Sequence, residues 1–361
     1  MKVMMRVLIG IAAAFATCTL ASEYASAIVV DDVKVTILSD MVPGRRTHAE
    51  WGFAAFVEVK SGGVTRHILF DTGGMADTVV KNAKIIKTLT GELAIDFAKF
   101  QNGEVDIVLS HNHSDHTSGL MTLLDTYPKA FGLIHVGPGI FAPRRSCKAF
   151  DAERNCVSLV DGEKNSMVGV KAAFIQKYGE SEFQRRFVVH EKFEAIAAGV
   201  YVTGAIPRVT SEDNNAGNNF ALYNANGPSP YDRVAEEISL AVVTPNGPVV
   251  ITGCAHAGII NTLTAVRDNL KSTSVDALIG GLHLLAHKTD ELKWTAANLS
   301  AFTVKHFIAS HCTGLERLAF LRAHVAGMQE DTAVFGAVET SYSYSKGISH
   351  PEPSITKPIE K

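Results

Sequence analysis

The run His111-x-His113-x-Asp115-His116 packs three imidazoles and a carboxylate into six positions. It follows directly on residues 105–109, a short apolar run that reads as a buried strand, so the four side chains fall in a turn at a strand's carboxyl end. In such a turn imidazoles at i and i+2 can face one metal ion. The carboxylate at i+4 and the imidazole at i+5 can face a second ion a few ångströms away, and nitrogen and oxygen donors of this kind suit zinc. A turn cannot surround an ion, so other ligands have to come from elsewhere. Three later strands end in histidine, at His256, His283 and His311. Each stands just before a helix, at the sheet edge where open α/β sheets place their ligands.

The elements that must carry these residues follow from periodicity and turn signals. Residues 33–38 read as a strand. Residues 52–60 and 65–70 read as a hairpin around Ser61-Gly62-Gly63, closed by the tight turn Asp71-Thr72-Gly73-Gly74. Helical spacing covers 75–100, divided at Gly91, and again 117–127, with a strand over 132–136. From 137 to 191 the pattern weakens around Pro138, Pro143, Cys147 and Cys156, which marks an insertion serving as a lid or rim. Strand character resumes at 187–190 and 200–203. Residues 238–243 and 249–252 pair around Pro245-Asn246-Gly247-Pro248, and a helix follows over 258–269. Two strand-then-helix units come next, 277–279 with 290–301 and 305–309 with 315–324. The tail 346–361 is polar, carries three prolines and reads as loose.

At the other end, Lys2 and Arg6 precede the apolar run 7–20, and Ala25-Ser26-Ala27 follows, the three regions of a secretory signal. The run falls short of a bilayer span, so export with cleavage near Ala27 to the periplasm or medium is expected, and no stable membrane span. In an oxidising compartment Cys147 and Cys156 are expected to close a loop disulfide. The 361 residues are 46% hydrophobic and 20% charged, and Lys+Arg 34 against Asp+Glu 37 leaves a formal charge of -3. Those proportions exclude a disordered chain and a coiled coil. The lack of a basic excess excludes a nucleic-acid partner held by bulk charge, leaving a small-molecule substrate. A homo-oligomer is left open.

The strand-Asp71-Thr72-Gly73 turn, the HxHxDH run and the strand-end histidines resemble the metallo-β-lactamase-fold superfamily across residues 28–345. Four further motifs are similar to one branch of it: Thr203-Gly204-Ala205-Ile206-Pro207-Arg208, Gly253-Cys254-Ala255-His256-Ala257-Gly258-Ile259 with Asn261, Gly280-Gly281-Leu282-His283-Leu284 and His311-Cys312-Thr313-Gly314. That branch is named after 7,8-dihydropterin-6-methyl-4-(β-D-ribofuranosyl)aminobenzene 5′-phosphate synthase. The resemblance implies an α/β fold, an αββα sandwich of two mixed sheets with helices on the outer faces. It also implies two divalent metal ions, zinc first, with manganese or iron as alternatives. His111 and His113 would hold the first ion and Asp115, His116 and His311 the second. The chain departs from the superfamily pattern in having no histidine between His190 and His256, and Gly253-Cys254 where a Gly-Asp turn is usual. Either His256 or Cys254 then replaces the missing imidazole and bridging carboxylate. Asp71 supports the ligand loop from behind, and Arg208 and His283 are placed to support the site or grip a substrate anion.

The function expected is hydrolysis of an ester, lactone, amide or phosphoester by a metal-activated hydroxide that Asp115 orients. A transferase like the synthase that names the branch is the alternative. A di-iron reductase is disfavoured because His113 stands where those relatives usually carry glutamate.

Overall fold

In the computed structural model the described residues are 28–90, 95–215 and 219–351. The expected signal segment 1–27 and the last ten residues of the tail lie outside them. The chain starts with β1 (Asp32–Ser39), β2 (Ala54–Ser61) and β3 (Val64–Phe70), then α1 (Thr78–Thr90), β4 (Val105–Val108), α2 (Ser114–Thr117), α3 (Leu120–Thr126) and β5 (Phe131–Val136). There follow β6 (Arg144–Ser146), α4 (Ser166–Tyr178), α5 (Glu180–Arg186), β7 (Phe187–Val189), β8 (Glu194–Ala197), β9 (Val200–Val202) and β10 (Phe220–Leu222). The second half comprises β11 (Leu240–Thr244), β12 (Gly247–Thr252), α6 (Ile259–Leu270), β13 (Ser274–Gly280), α7 (Thr289–Leu299), β14 (Thr303–Ala309), α8 (Leu315–His324), β15 (Ala333–Phe335), β16 (Ser341–Ser343) and β17 (Gly347–Ser349).

Two mixed sheets result. The first has the order β17-β16-β1-β2-β3-β4-β5-β7, the second β15-β14-β13-β12-β11-β9-β8, and β6 and β10 form a separate ribbon. Alternation along the strands decides which face each side chain buries. On β2, Ala55, Val57 and Val59 enter the core between the sheets, where they join Val249, Ile251 and Ile279 of the second sheet. The opposite residues Ala54 and Phe56 pack outward with Val79 and Ala83 of α1 and Leu120 and Leu123 of α3. On the second sheet Val250 and Leu278 likewise face outward, onto Ile259 and Leu263 of α6, Leu292 of α7 and Leu318 of α8. Three buried layers separate four layers of structure, which is the expected αββα arrangement. Among the described residues no helix is long and apolar enough to cross a membrane.

Three local expectations change. The stretch 137–191 is more regular than an irregular insertion, since it contains α4 and α5. Asn165 caps α4 by accepting the Met167 N–H at 2.9 Å, and Met167 and Phe174, seven residues apart, bury the helix against the first sheet. The helix expected over 117–127 breaks at Ser118-Gly119 into α2 and α3. A side chain at Gly119 would collide with the Thr72 carbonyl, its Cβ falling 2.2 Å away. The beginning of the tail is not loose, because β17 pairs with β16. That pair is anchored by the Tyr342 hydroxyl, which donates to Asp276 at 2.6 Å across the two sheets. Cys147 and Cys156 form the expected disulfide.

Candidate metal centre

The strands β3, β4, β12, β13 and β14 run parallel or feed the same edge, so their carboxyl ends open together. At that edge four residues other than glycine take the left-handed backbone conformation: Asp71 (φ 56), Ala255 (φ 55), His283 (φ 49) and His311 (φ 49). Each costs on the order of 1 kcal/mol, and such strain persists where surrounding contacts over-determine it. The bend at Ala255 lies between Cys254 and His256. Close approach is part of the design: a Cβ at Gly253 would lie 2.1 Å from the Ser110 hydroxyl.

Two donor groups meet there. His111, His113 and His256 form one, with ligand atoms within 4.8 Å of one another, and Asp115, His116 and His311 form the other. The ring centroids of His111 and His113 lie 4.8 and 4.9 Å from that of His256, so the three imidazoles face one another. Cys254 joins His111 and His116, its sulfur 3.2 Å from His116 Nε2. The His283 ring lies 4.4 Å from that of His256, on the rim of the first group.

The second contacts of these rings fix which nitrogen remains free. His116 Nδ1 lies 2.7 Å from the Asp71 carboxylate, which also accepts the N–H and hydroxyl of Ser110. Ser110 Oγ in turn lies 2.8 Å from His111 Nδ1. Both rings are thereby held by one nitrogen and present the other. His111 Nε2, His113 Nε2, both ring nitrogens of His256 and His311 Nδ1 are buried without a hydrogen-bond partner. Several unpaired imidazole nitrogens converging in one buried space would be costly in a protein built to leave them bare. They are the donor set that a borderline divalent metal takes, so the residues fit two such ions.

For the imidazoles of the first group and its rim, electrostatics point the same way. Burial pushes His113 and His283 down to about 4, and pushes His111 and His256 well below the ordinary imidazole range, so all four rings are neutral, the form that ligates. Burial alone would raise Asp115, but His116 and His311 outweigh it and hold the carboxylate well below its ordinary range. Asp115 is also the open member of its group, its side chain 20% exposed where those of His116 and His311 are 0% and 1%. Its Oδ2 lies 3.2 Å from His311 Nε2. Beside it Trp51, mostly exposed, places its ring 5.1 Å from that of His311.

Arg208 is placed differently from a free anion grip. Its guanidinium donates to the His256 carbonyl at 2.9 Å and to the Arg233 carbonyl, and pairs with Asp213 at 3.5 Å. It therefore braces the His256 turn from behind. Three buried carboxylates do similar work, and the sequence reading missed them. Glu237 accepts the N–H groups of His256 and Ala257 at 2.8 and 2.7 Å, Asp40 accepts that of His311 at 3.1 Å, and Glu236 accepts from the Asn112 side chain within the HxHxDH turn. Glu236 is itself paired with the buried Arg144 at 2.8 Å. The signal available was Glu236-Glu237 standing directly before an apolar strand, where charge is unusual.

No family model matches the chain. It is 28% identical over 293 residues to the 7,8-dihydropterin-6-methyl-4-(β-D-ribofuranosyl)-aminobenzene-5′-phosphate synthase of Methanocaldococcus jannaschii, covering 80% of this chain and 90% of that one. An uncharacterised protein of the same organism, MJ0448, is 24% identical over 303 residues, 80% of this chain and 93% of its own. Among solved structures, Tm1679, described as a metal-dependent hydrolase of the β-lactamase superfamily, superposes with a TM-score of 0.60 at 21% identity, over 86% of this chain and 98% of that one.

Proposed function

We propose that this chain, which has the metallo-β-lactamase fold, is a metal-dependent hydrolase of a small ester, lactone, amide or phosphoester. The observation that carries the proposal is the convergence of His111, His113 and His256 with Asp115, His116 and His311 at one sheet edge, with His111 Nε2, His113 Nε2 and the His256 ring nitrogens buried and unpartnered. His111, His113 and His256 would hold one ion and Asp115, His116, His311 and Cys254 the other, zinc fitting this mixture of nitrogen, oxygen and sulfur. When bound, the ions supply Lewis acidity toward water and toward a substrate oxygen.

The chain's own residues do the rest. Asp115 stays ionised at any working pH, so it is a weak base. Its part is to accept a hydrogen bond from the attacking water and fix its direction. His283, neutral and on the rim, can donate to or accept from a substrate oxygen. Trp51 offers an apolar wall on the open side, against which a flat or aliphatic group can lie and shed water.

A second reading is favoured by the sequence relationship to the synthase: a transferase acting on a pterin-like and an aromatic ribose phosphate partner. Export separates the two, since a chain cleaved near Ala27 and released to the periplasm would meet substrates arriving from outside. The test is a panel of phosphodiesters, lactones, thioesters and β-lactams offered to zinc-loaded protein, beside the synthase reaction. Turnover of a panel member that chelator abolishes supports hydrolysis, and activity only in the synthase assay overturns it. A fusion to a periplasmic reporter checks export independently.

A further inference from the structure

Beyond the imidazoles and Asp115, a second sulfur stands at the centre. Cys312 Sγ lies 3.3 Å from Cys254 Sγ, and Cys254, His311 and Cys312 keep their ligand atoms within 4.8 Å of one another, all three buried. These two are the free cysteines among the described residues, and they come from separate strand ends, after β12 and after β14. The Cys312 sulfur accepts the His283 backbone N–H at 3.2 Å, a contact that favours a sulfur carrying negative charge. Gly281 lets its backbone approach the sulfur closely, since a Cβ there would sit 2.7 Å from that sulfur and 2.4 Å from the Gly253 carbonyl. Two thiols packed as ordinary apolar side chains would need neither the amide nor each other at 3.3 Å.

We propose that Cys312 is a metal ligand, so that the second metal position is lined by a pair of thiolates, Cys254 and Cys312, beside His311. Each thiol gives up its proton to solvent when it binds. Sulfur donors select soft and borderline ions, so this position takes zinc or cadmium and discriminates against manganese and magnesium. The inference rests on the reading of the edge as a metal centre.

Full-length protein, stripped of metal, is loaded with cobalt(II) and, separately, with cadmium-113. Cobalt should produce a thiolate-to-metal charge-transfer absorption that falls by about half in Cys312→Ser and disappears in the double variant Cys254→Ser/Cys312→Ser. An absorption unchanged in Cys312→Ser overturns the proposal. The wild-type cadmium resonance decides the matter should that variant fail to fold. A shift in the two-sulfur range supports the pair, and one in the single-sulfur range overturns it. Failure to take up either metal would instead overturn the metal-centre reading itself, whereas uptake with a one-sulfur signature removes only Cys312.

Discussion

The Glu237 carboxylate accepts the backbone N–H of His256 at 2.8 Å, holding a proposed ligand by its main chain from a residue nineteen positions earlier. It also takes the neighbouring Ala257 N–H, while Arg208 grips the His256 carbonyl on the other side. The turn that carries the ring is thus clamped at both its donor and its acceptor. Replacing Glu237 by Gln keeps the shape but turns one acceptor into an N–H donor facing an amide. Glu237→Gln is expected to weaken metal binding about 10–100-fold while the far-ultraviolet circular dichroism stays native. Chelator competition measures this, and an unchanged affinity would remove Glu237 from the support of the centre.

Asp71 plays the corresponding part for His116, with both side chains fully buried and 2.7 Å apart. Asp71→Asn can place an N–H where His116 needs an acceptor, so the ring's tautomer is no longer fixed. A loss of metal affinity of about 10–100-fold is expected, concentrated in the more weakly held of two binding events in a titration.

Asp115 contributes to metal binding and to the direction of the attacking water, so Asp115→Ala should abolish measurable turnover of whichever substrate the panel identifies. Because its side chain reaches the open edge, the fold should survive, with a melting temperature near that of the metal-free wild type. A fully active variant would refute the assignment.

Burial pushes Glu212 from its ordinary 4.5 up to about 7, where it accepts the Ile260 N–H at the start of α6. The folded chain then keeps a proton that the unfolded chain releases between about pH 4.5 and 7, so this group's contribution to stability is lost as pH rises through that window. Glu212→Gln, neutral at every pH, should match the wild type near pH 4.5 and exceed it at pH 8 by at most about 3 kcal/mol. Denaturant unfolding at the two pH values tests the sign, and a difference that shrinks as pH rises would contradict it.

The Cys147–Cys156 disulfide closes a loop of nine residues' separation beside the β6–β10 ribbon. Removing it with the double substitution to Ser should cost about 2–3 kcal/mol by loop-closure entropy, with little effect on metal content. Unfolding with and without reductant checks the stability, and elemental analysis checks the metal.

Much of this molecule is legible in local sequence. The HxHxDH run declares its chemistry because four donors share six positions, and the central strands of both sheets show in short apolar runs bounded by turn signals, whereas the short edge strands β8, β15, β16 and β17 do not. His256, His283 and His311 could be placed at one edge because each follows a strand and precedes a helix. Other features depend on residues far apart in the chain that only packing brings together. Asp40 and His311 are separated by 271 positions, and Cys254 and Cys312 by 58. Neither contact leaves a periodic trace, since a single buried carboxylate or thiol looks in sequence like any other. Whether Arg208 faced a substrate or a carbonyl was likewise decided by the position of the His256 turn beside it. The sequence by itself determined the donor types and the strand ends that carry them, and the layered fold through the resemblance its motifs carry. The tertiary structure decided which imidazole completes which group, which carboxylates clamp the loops, and that two sulfurs meet, because these depend on distances between strand ends that exist only once the two sheets have packed.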